Sequence, residues 1–440
     1  MEKTTQSSTK RQKVSDGKQN NISSVDRLSA LPDVVVCHIL SFLPTKISVS
    51  SSILARRWKF LWAHVPTLHF EGKVDSDVIH RIMLLHKVKN MDTFRLCHLH
   101  YSCNEYRLET WISTVIERNI QNIDLRLGTT TPRCLFTCKT LVDLGVDLCT
   151  FPPSSGAVSL PSLKKLYLYD AEYNADEALP HLLSGCPVLE ELILMKGTID
   201  RFLCRLSISS PTIKRLTVDF PCSRYGFCNP DYKVVINAPA LMYLNVIDCS
   251  YEHISISPMA SLIEADVCLN NDSVQLNYWS SFSIERLFDC FRSLKFLKFA
   301  GQYKENELFS VEFILTRLDN LTKLELAADW RFLTKFLENA DNLKVLIIRE
   351  IPEYWQNWKE PAEEMRACLL NSLKTVTIHE FSYTKQEFDM VRFILRNAQV
   401  LKGMQIYLRS RGVSLEAKFD ALKKISLFQR GSTECEVAFF

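Results

Sequence analysis

One apolar phrase recurs through most of this chain. The pattern L-x-x-L-x-L, with other apolar residues standing in for leucine, begins at Met91, Ile120, Leu141, Leu163, Leu189, Ile213, Leu241, Leu262, Leu294, Leu321, Leu343, Leu373 and Leu401. The thirteen starts span 310 residues at a mean period near 26, with spacings from 21 to 32. Several carry proline two residues upstream, as in LPSLKKL, CPVLEEL, SPTIKRL and APALMYL. The alternation at the end of each phrase predicts a short strand. Its fourth and sixth positions point inward, and its third, fifth and seventh face the other side. Helical spacing fills some intervals, as at Leu308, Val311, Leu315 and Leu318, or Phe332, Leu333, Phe336 and Leu337. Strand then helix, repeated, predicts an irregular α/β solenoid with a parallel sheet inside and helices outside. The period falls within the roughly 20–29 residues of leucine-rich repeats. The Leu262 unit is the weakest, with Ala265 in a core slot.

The N-terminal part has another texture. Residues 1–24 contain no Leu, Phe, Trp or Tyr and are expected to be a disordered basic tail. Three short helical patterns follow from Val25 to Phe70. In the first, Val35, Ile39 and Leu43 form one row and Val36 and Leu40 a second, so the helix is apolar on more than one face. Pro32 and Asp33 suit its first turn. Pro44 stops it, and Thr45 is expected as the N-cap of the next helix. The third pattern carries Leu54, Trp58, Leu61, Trp62 and Val65. Some forty residues cannot enclose that much apolar surface alone, so part of it must meet a partner or the following domain.

The segment from Asp26 to Leu68, DRLSALPDVVVCHILSFLPTKISVSSSILARRWKFLWAHVPTL, resembles an F-box of the flowering-plant type through its Leu31-Pro32 pair, ILSFLPTK and RRW-x-x-LW. The resemblance implies docking onto a Skp-type adaptor, and through it a cullin. The positions it assigns to that contact are Leu31, Pro32, Ile39, Leu40, Leu43, Pro44, Val49 and Trp58. Trp58 and Trp62 have a second reading, in which they seal the F-box against the next domain. From Tyr354 the chain resembles the FBD domain that ends many plant F-box proteins. The marks are Trp358-x-Glu360-Pro361, CLLNSLKTVTIHEF, the amphipathic KQEFDMVRFILRNA and the strand LKGMQIYL. A helix with Leu415, Phe419, Leu422 and Ile425 follows, and CEVAFF is expected to close the last sheet edge. The expected organisation is a tail (1–24), an F-box (25–70), a repeat solenoid (71–350) and an FBD cap (351–440).

The outward central column of the repeats reads Tyr167, Ile193, Thr217, Asn245, Asp266, Lys298, Glu325 and Ile347. Such columns are where solenoids bind targets. The neighbouring Lys165, Glu191 and Arg215 alternate in sign, so cross-strand pairing is the competing use of charge on this face.

Composition narrows the chemistry. The 12 glycines are never closer than nine residues, which excludes clustered-glycine phosphate loops. Outside residues 1–20 basic and acidic side chains balance, which argues against a nucleic-acid groove. The 15 cysteines show no regular pairing pattern and read as reduced thiols in the cytoplasm and/or nucleus. The apolar run Val34–Leu43 is too short to span a bilayer. Cys97-His98-x-His100-x-x-Cys103 has zinc-type ligands, but strand alternation sends neighbours to opposite faces, so no metal and no cofactor is expected. HExxH and GxSxG are absent from the sequence, and no enzymatic activity is expected. The resemblance implies the substrate-recognition subunit of an SCF-type ubiquitin ligase, with the repeats holding a target protein. A non-ligase interaction scaffold is the alternative, and a receptor for a small ligand a third reading.

Overall fold

The computed structural model describes residues 30–97, 104–126, 131–147, 156–173, 175–195, 198–199, 205–219, 222–223, 233–247, 253–269, 287–301, 317–327, 330–349, 367–409 and 414–440. The basic tail, His98, His100, Cys103, most of the 308–318 pattern and the Trp358 motif lie outside these residues.

Each of the thirteen apolar phrases becomes a strand whose first residue is the third of the phrase, from Thr93–Cys97 to Gly403–Leu408. With Thr67–Glu71 before them and Glu436–Phe439 after, they form a fifteen-stranded sheet whose strand order follows the sequence. Every pairing in it is parallel. The Thr67–Glu71 strand carries the same phrase, Val65-x-x-Leu68-x-Phe70, hidden at the end of the F-box pattern. The described residues also form two smaller parallel sheets of three strands each.

The core explains why the phrase repeats. Its fourth and sixth residues are buried on every rung, as with Leu166 and Leu168 or Leu324 and Leu326. The first residue is buried equally, from Met91 to Leu401, although it precedes the strand. That position turns the chain into the strand, so three apolar groups per unit stack on the next unit and extend one core. Ala265 is also fully buried, its small side chain simply filling less of the slot.

Helices cover the core side of the sheet. Glu105–Glu117 buries Leu108, Trp111, Ile112 and Val115, and Trp330–Asn339 buries Phe332, Leu333, Phe336 and Leu337. Phe299 on its strand packs against the rings of Phe288, Phe332 and Phe336 at 4.8–5.9 Å. Helix Lys385–Asn397 starts with a reciprocal cap: Thr384 Oγ1 accepts from the Glu387 N–H, and the Glu387 carboxylate accepts from the Thr384 N–H. Burial pushes the Glu387 pKa up, against the opposing effect of these hydrogen bonds. The segment that resembles an FBD therefore supplies further rungs of the same ladder.

The first helix runs Asp33–Ser41 (α1) and the second Thr45–Ser50 (α2). The third pattern is not an α-helix. It forms two 3-10 segments, Ser51–Ile53 and Arg56–His64, separated by the extended Ala55, and Leu54 is thereby left exposed instead of joining the stripe. The expected N-cap also differs. Pro44 takes the capping position and Thr45 lies buried inside the helix, where its hydroxyl accepts the His69 N–H at 2.7 Å. His69 lies on the first strand of the sheet, which would otherwise present unpaired backbone groups. Thr67 adds a hydroxyl bond to the Ser41 carbonyl, so the F-box covers that edge.

Candidate functional site

The first candidate surface is built by α1, α2 and the two 3-10 turns. Val36 and Leu40 on α1 pack with Trp58, Leu61 and Val65 in a small cluster of their own. Trp62 belongs instead to the continuous core of the repeats. Trp62 thus seals the F-box against the solenoid, whereas Trp58 holds the F-box together. The Trp58 indole Nε1 is buried and has no hydrogen-bond partner among the described residues, a cost the packing must offset. Arg57 ties the end of this unit to its start, bonding Asp33 Oδ1 at 2.5 Å and the Leu31 carbonyl at 2.6 Å.

Once Val36 and Leu40 turn inward, the other row of α1 faces solvent. Val35, Ile39 and Leu43 are exposed, flanked by Val34 (80% exposed) and Phe42 (76%). Ile47, Ile53 (88%), Leu54 and Phe60 extend the exposed apolar set along α2 and the turns. Isolated exposed apolar residues are common, but a concentration within thirty residues marks an interaction surface. Of the eight positions assigned by resemblance, Pro32, Ile39 and Leu43 are exposed, Leu31, Pro44 and Val49 half-buried, and Leu40 and Trp58 buried. The last two support the surface from beneath and offer little contact area. Val34, Phe42, Ile47, Ile53 and Phe60 were not singled out from the sequence, and Leu54 was expected in the apolar stripe of the third helix. The signal available was excess: α1 carries more apolar residues than one buried stripe requires. His38, on the same helix, packs its ring edge-on against Phe42 at 4.9 Å.

The second candidate surface is the open face of the sheet. Tyr167, Ile193, Thr217, Asn245, Asp266, Lys298, Glu325 and Ile347 are direct register partners on eight successive strands. The same row continues to His69 at one end and Ala438 at the other. Much of its charge is spent internally. Lys298 Nζ lies 2.9 Å from Asp266, and Arg349 Nε lies 2.8 Å from Glu325, which is buried. Lys165 and Arg215 both turn toward Glu191, at 3.5 and 4.0 Å. Arg215 also lies over the Tyr243 ring at 4.1 Å. Cross-strand pairing therefore accounts for these charges, while Tyr167, Ile193, Thr217, Asn245 and Ile347 remain half-exposed on the row.

Candidates for other chemistry are few. Cys97 is buried, and burial with the nearby Asp124 carboxylate pushes its thiol up to about 11, the reverse of an activated nucleophile. Cys186 and Cys368 are pushed to about 12, with burial the leading cause. Among the described residues no group of three or more His, Cys, Asp or Glu is placed to hold a metal ion. Among them, too, no helix is long and apolar enough to cross a membrane.

A parallel repeat ladder with a small helical unit on its first edge defines a leucine-rich solenoid with an N-terminal helical module. Comparison with known families agrees. Residues 28–70 match the F-box domain, 108–266 the leucine-rich repeats of FBD-associated F-box protein At5g56370, and 361–406 the FBD. The chain is 29% identical to F-box/FBD/LRR-repeat protein At5g56420 of Arabidopsis thaliana, over 95% of this chain and 100% of that protein. It is 30% identical to F-box/FBD/LRR-repeat protein At3g52680 of the same plant, over 94% of this chain and 93% of that protein. The chain belongs to the F-box/FBD/LRR-repeat protein family.

Proposed function

We propose that this protein is the substrate-recognition subunit of an SCF-type (Skp-cullin-F-box) E3 ubiquitin ligase. The observation that carries the reading is the solvent-facing apolar surface from Val34 to Phe60, held at one end of a long ladder with an open face. The apolar surface takes the Skp-type adaptor, through which a cullin is reached. The open face takes a target protein, and the chain supplies no catalytic residue of its own. Its contribution is proximity: the target's lysines are held near a ubiquitin-conjugating enzyme brought by the rest of the assembly. The reading places the protein in the cytoplasm and/or nucleus, with neither nucleic acid nor membrane as partner.

Co-expression with a Skp-type adaptor and a cullin tests it. Both proteins are expected to co-purify with the wild-type chain and to be lost with Leu31→Ala combined with Pro32→Ala. Recovery of the adaptor without the cullin supports an interaction scaffold instead. Wild-type affinity in the double variant overturns the adaptor assignment.

A further inference from the structure

The open face is interrupted at one place. In the fifteen-residue central row, Gly145 is the one glycine, between Asp124 and Tyr167 in register. Around it lies a cleft of about 440 Å³ whose lining includes Arg95, Asp124, Arg126, Asp143, Tyr167 and Tyr169. With parallel strands about 4.8 Å apart, the Asp124 and Tyr167 walls stand roughly 10 Å from each other. The glycine also lets Asp124 lean across, since a Cβ at 145 would sit 3.1 Å from Asp124 Oδ1.

Some of the polar groups here are already committed. Arg126 Nε is held by Asp124 at 3.1 Å, and the guanidinium lies over the Tyr169 ring at 4.7 Å. Lys165, the register partner of Asp143, turns away to Glu191. Among the described residues, four groups lining the cleft have no hydrogen bond or ion pair: the Asp143 carboxylate, the Tyr167 and Tyr169 hydroxyls and the Arg95 guanidinium. Burial pushes the Asp143 pKa up, and the Asp124 and Glu191 carboxylates add to this against the pull of Lys165 and Arg95. Burial, with Asp143 and Glu191, pushes the Tyr167 phenol up to about 12, so it stays protonated and can both accept and donate.

We propose that this cleft receives a lysine or arginine side chain of an extended target segment, the cation meeting Asp143 and Tyr167. An uncommitted, half-buried carboxylate beside a tyrosine ring gains both an ion pair and a cation–π contact from such a group. Arg95 is two strands from Asp143, roughly 10 Å by strand spacing, and its pull is the weakest of the influences on that carboxylate. It does not cancel the attraction, and it is left to take an acceptor of the same segment, a main-chain carbonyl or a carboxylate. The Arg126–Asp124 pair keeps the cleft's far wall neutral. The inference rests on the reading of the open face as the target-binding face.

A phage-displayed random heptapeptide library, selected on the full chain co-purified with its adaptor, tests both. Selected peptides are expected to share one lysine or arginine. They should bind Asp143→Asn and Gly145→Val at least tenfold more weakly, at unchanged melting temperature for Asp143→Asn. Selection on Asp143→Lys should shift the shared residue to Asp or Glu. Peptides without a common basic residue, or with equal affinity for Asp143→Asn, overturn the cleft assignment. If those peptides are still displaced by Thr217→Arg, the open-face reading survives that failure. If neither the cleft variants nor Thr217→Arg affects them, or no binder is selected, both fall.

Discussion

The joint between the F-box and the first repeat should be sensitive to mild acid through His86. This residue follows helix Ser76–Leu85 and is buried. Its Nδ1 lies 3.0 Å from Arg118 Nη1, and its Nε2 lies 2.8 Å from the Val65 carbonyl. A guanidinium can only donate, so Nδ1 accepts and Nε2 carries the proton that Val65 receives. A second proton on Nδ1 would face Arg118 and break that bond. Burial, opposed by the Val65 bond and aided by Arg118 and His64, lowers the His86 pKa from 6.5 to about 4. A base depressed in the folded state gives stability that is present above the unfolded pKa and lost as pH falls toward the folded one. Between pH 7 and pH 5 the unfolded chain takes up a proton that the native joint excludes, which costs about 2 kcal/mol. The assay is urea unfolding at pH 7, 6 and 5, followed by tryptophan fluorescence, for the wild type and His86→Gln. His86→Gln should be less stable at pH 7, with the gap narrowing by about 2 kcal/mol at pH 5 because the variant has no such proton to refuse. Parallel loss in both proteins would refute the reasoning.

Adaptor docking and F-box stability should separate by residue. Phe42→Asp and Ile53→Asp place charge on exposed positions and should weaken adaptor binding at least tenfold in a titration, with melting temperature nearly unchanged. Trp58→Ala should instead cost about 3–5 kcal/mol of local stability, since it empties the small F-box cluster. Gly185→Ala places a Cβ 2.8 Å from the Val158 carbonyl oxygen and should cost about 1–3 kcal/mol, seen as a lower urea midpoint. Thr384→Ala removes the cap of helix Lys385–Asn397 and should cost about 1 kcal/mol by the same measurement, whereas Thr384→Ser should restore most of it.

The sequence alone determined the ladder, because the rule that writes it is local. Alternation decides which side of a strand is buried, and thirteen phrases carried that alternation in their own few residues. Even the weak Ala265 unit took its place, since its neighbours supply the apolar groups on either side. The one strand missed before them, Thr67–Glu71, lay under a helical reading of the residues just ahead of it. The F-box was less legible. Its apolar residues could be found, but which of the two rows on α1 is buried depends on Trp58 and Leu61, some twenty residues away. Thr45 looked like a cap and became the cover of a sheet edge for the same reason: its partner, His69, comes from another element. The cleft was beyond sequence reasoning altogether. Arg95, Asp124, Gly145 and Tyr167 are spaced by 21 to 29 residues, and only the stacking of their strands makes one wall of them. Periodicity records what a segment buries; what a surface offers is set by side chains that stacking brings together from separate segments.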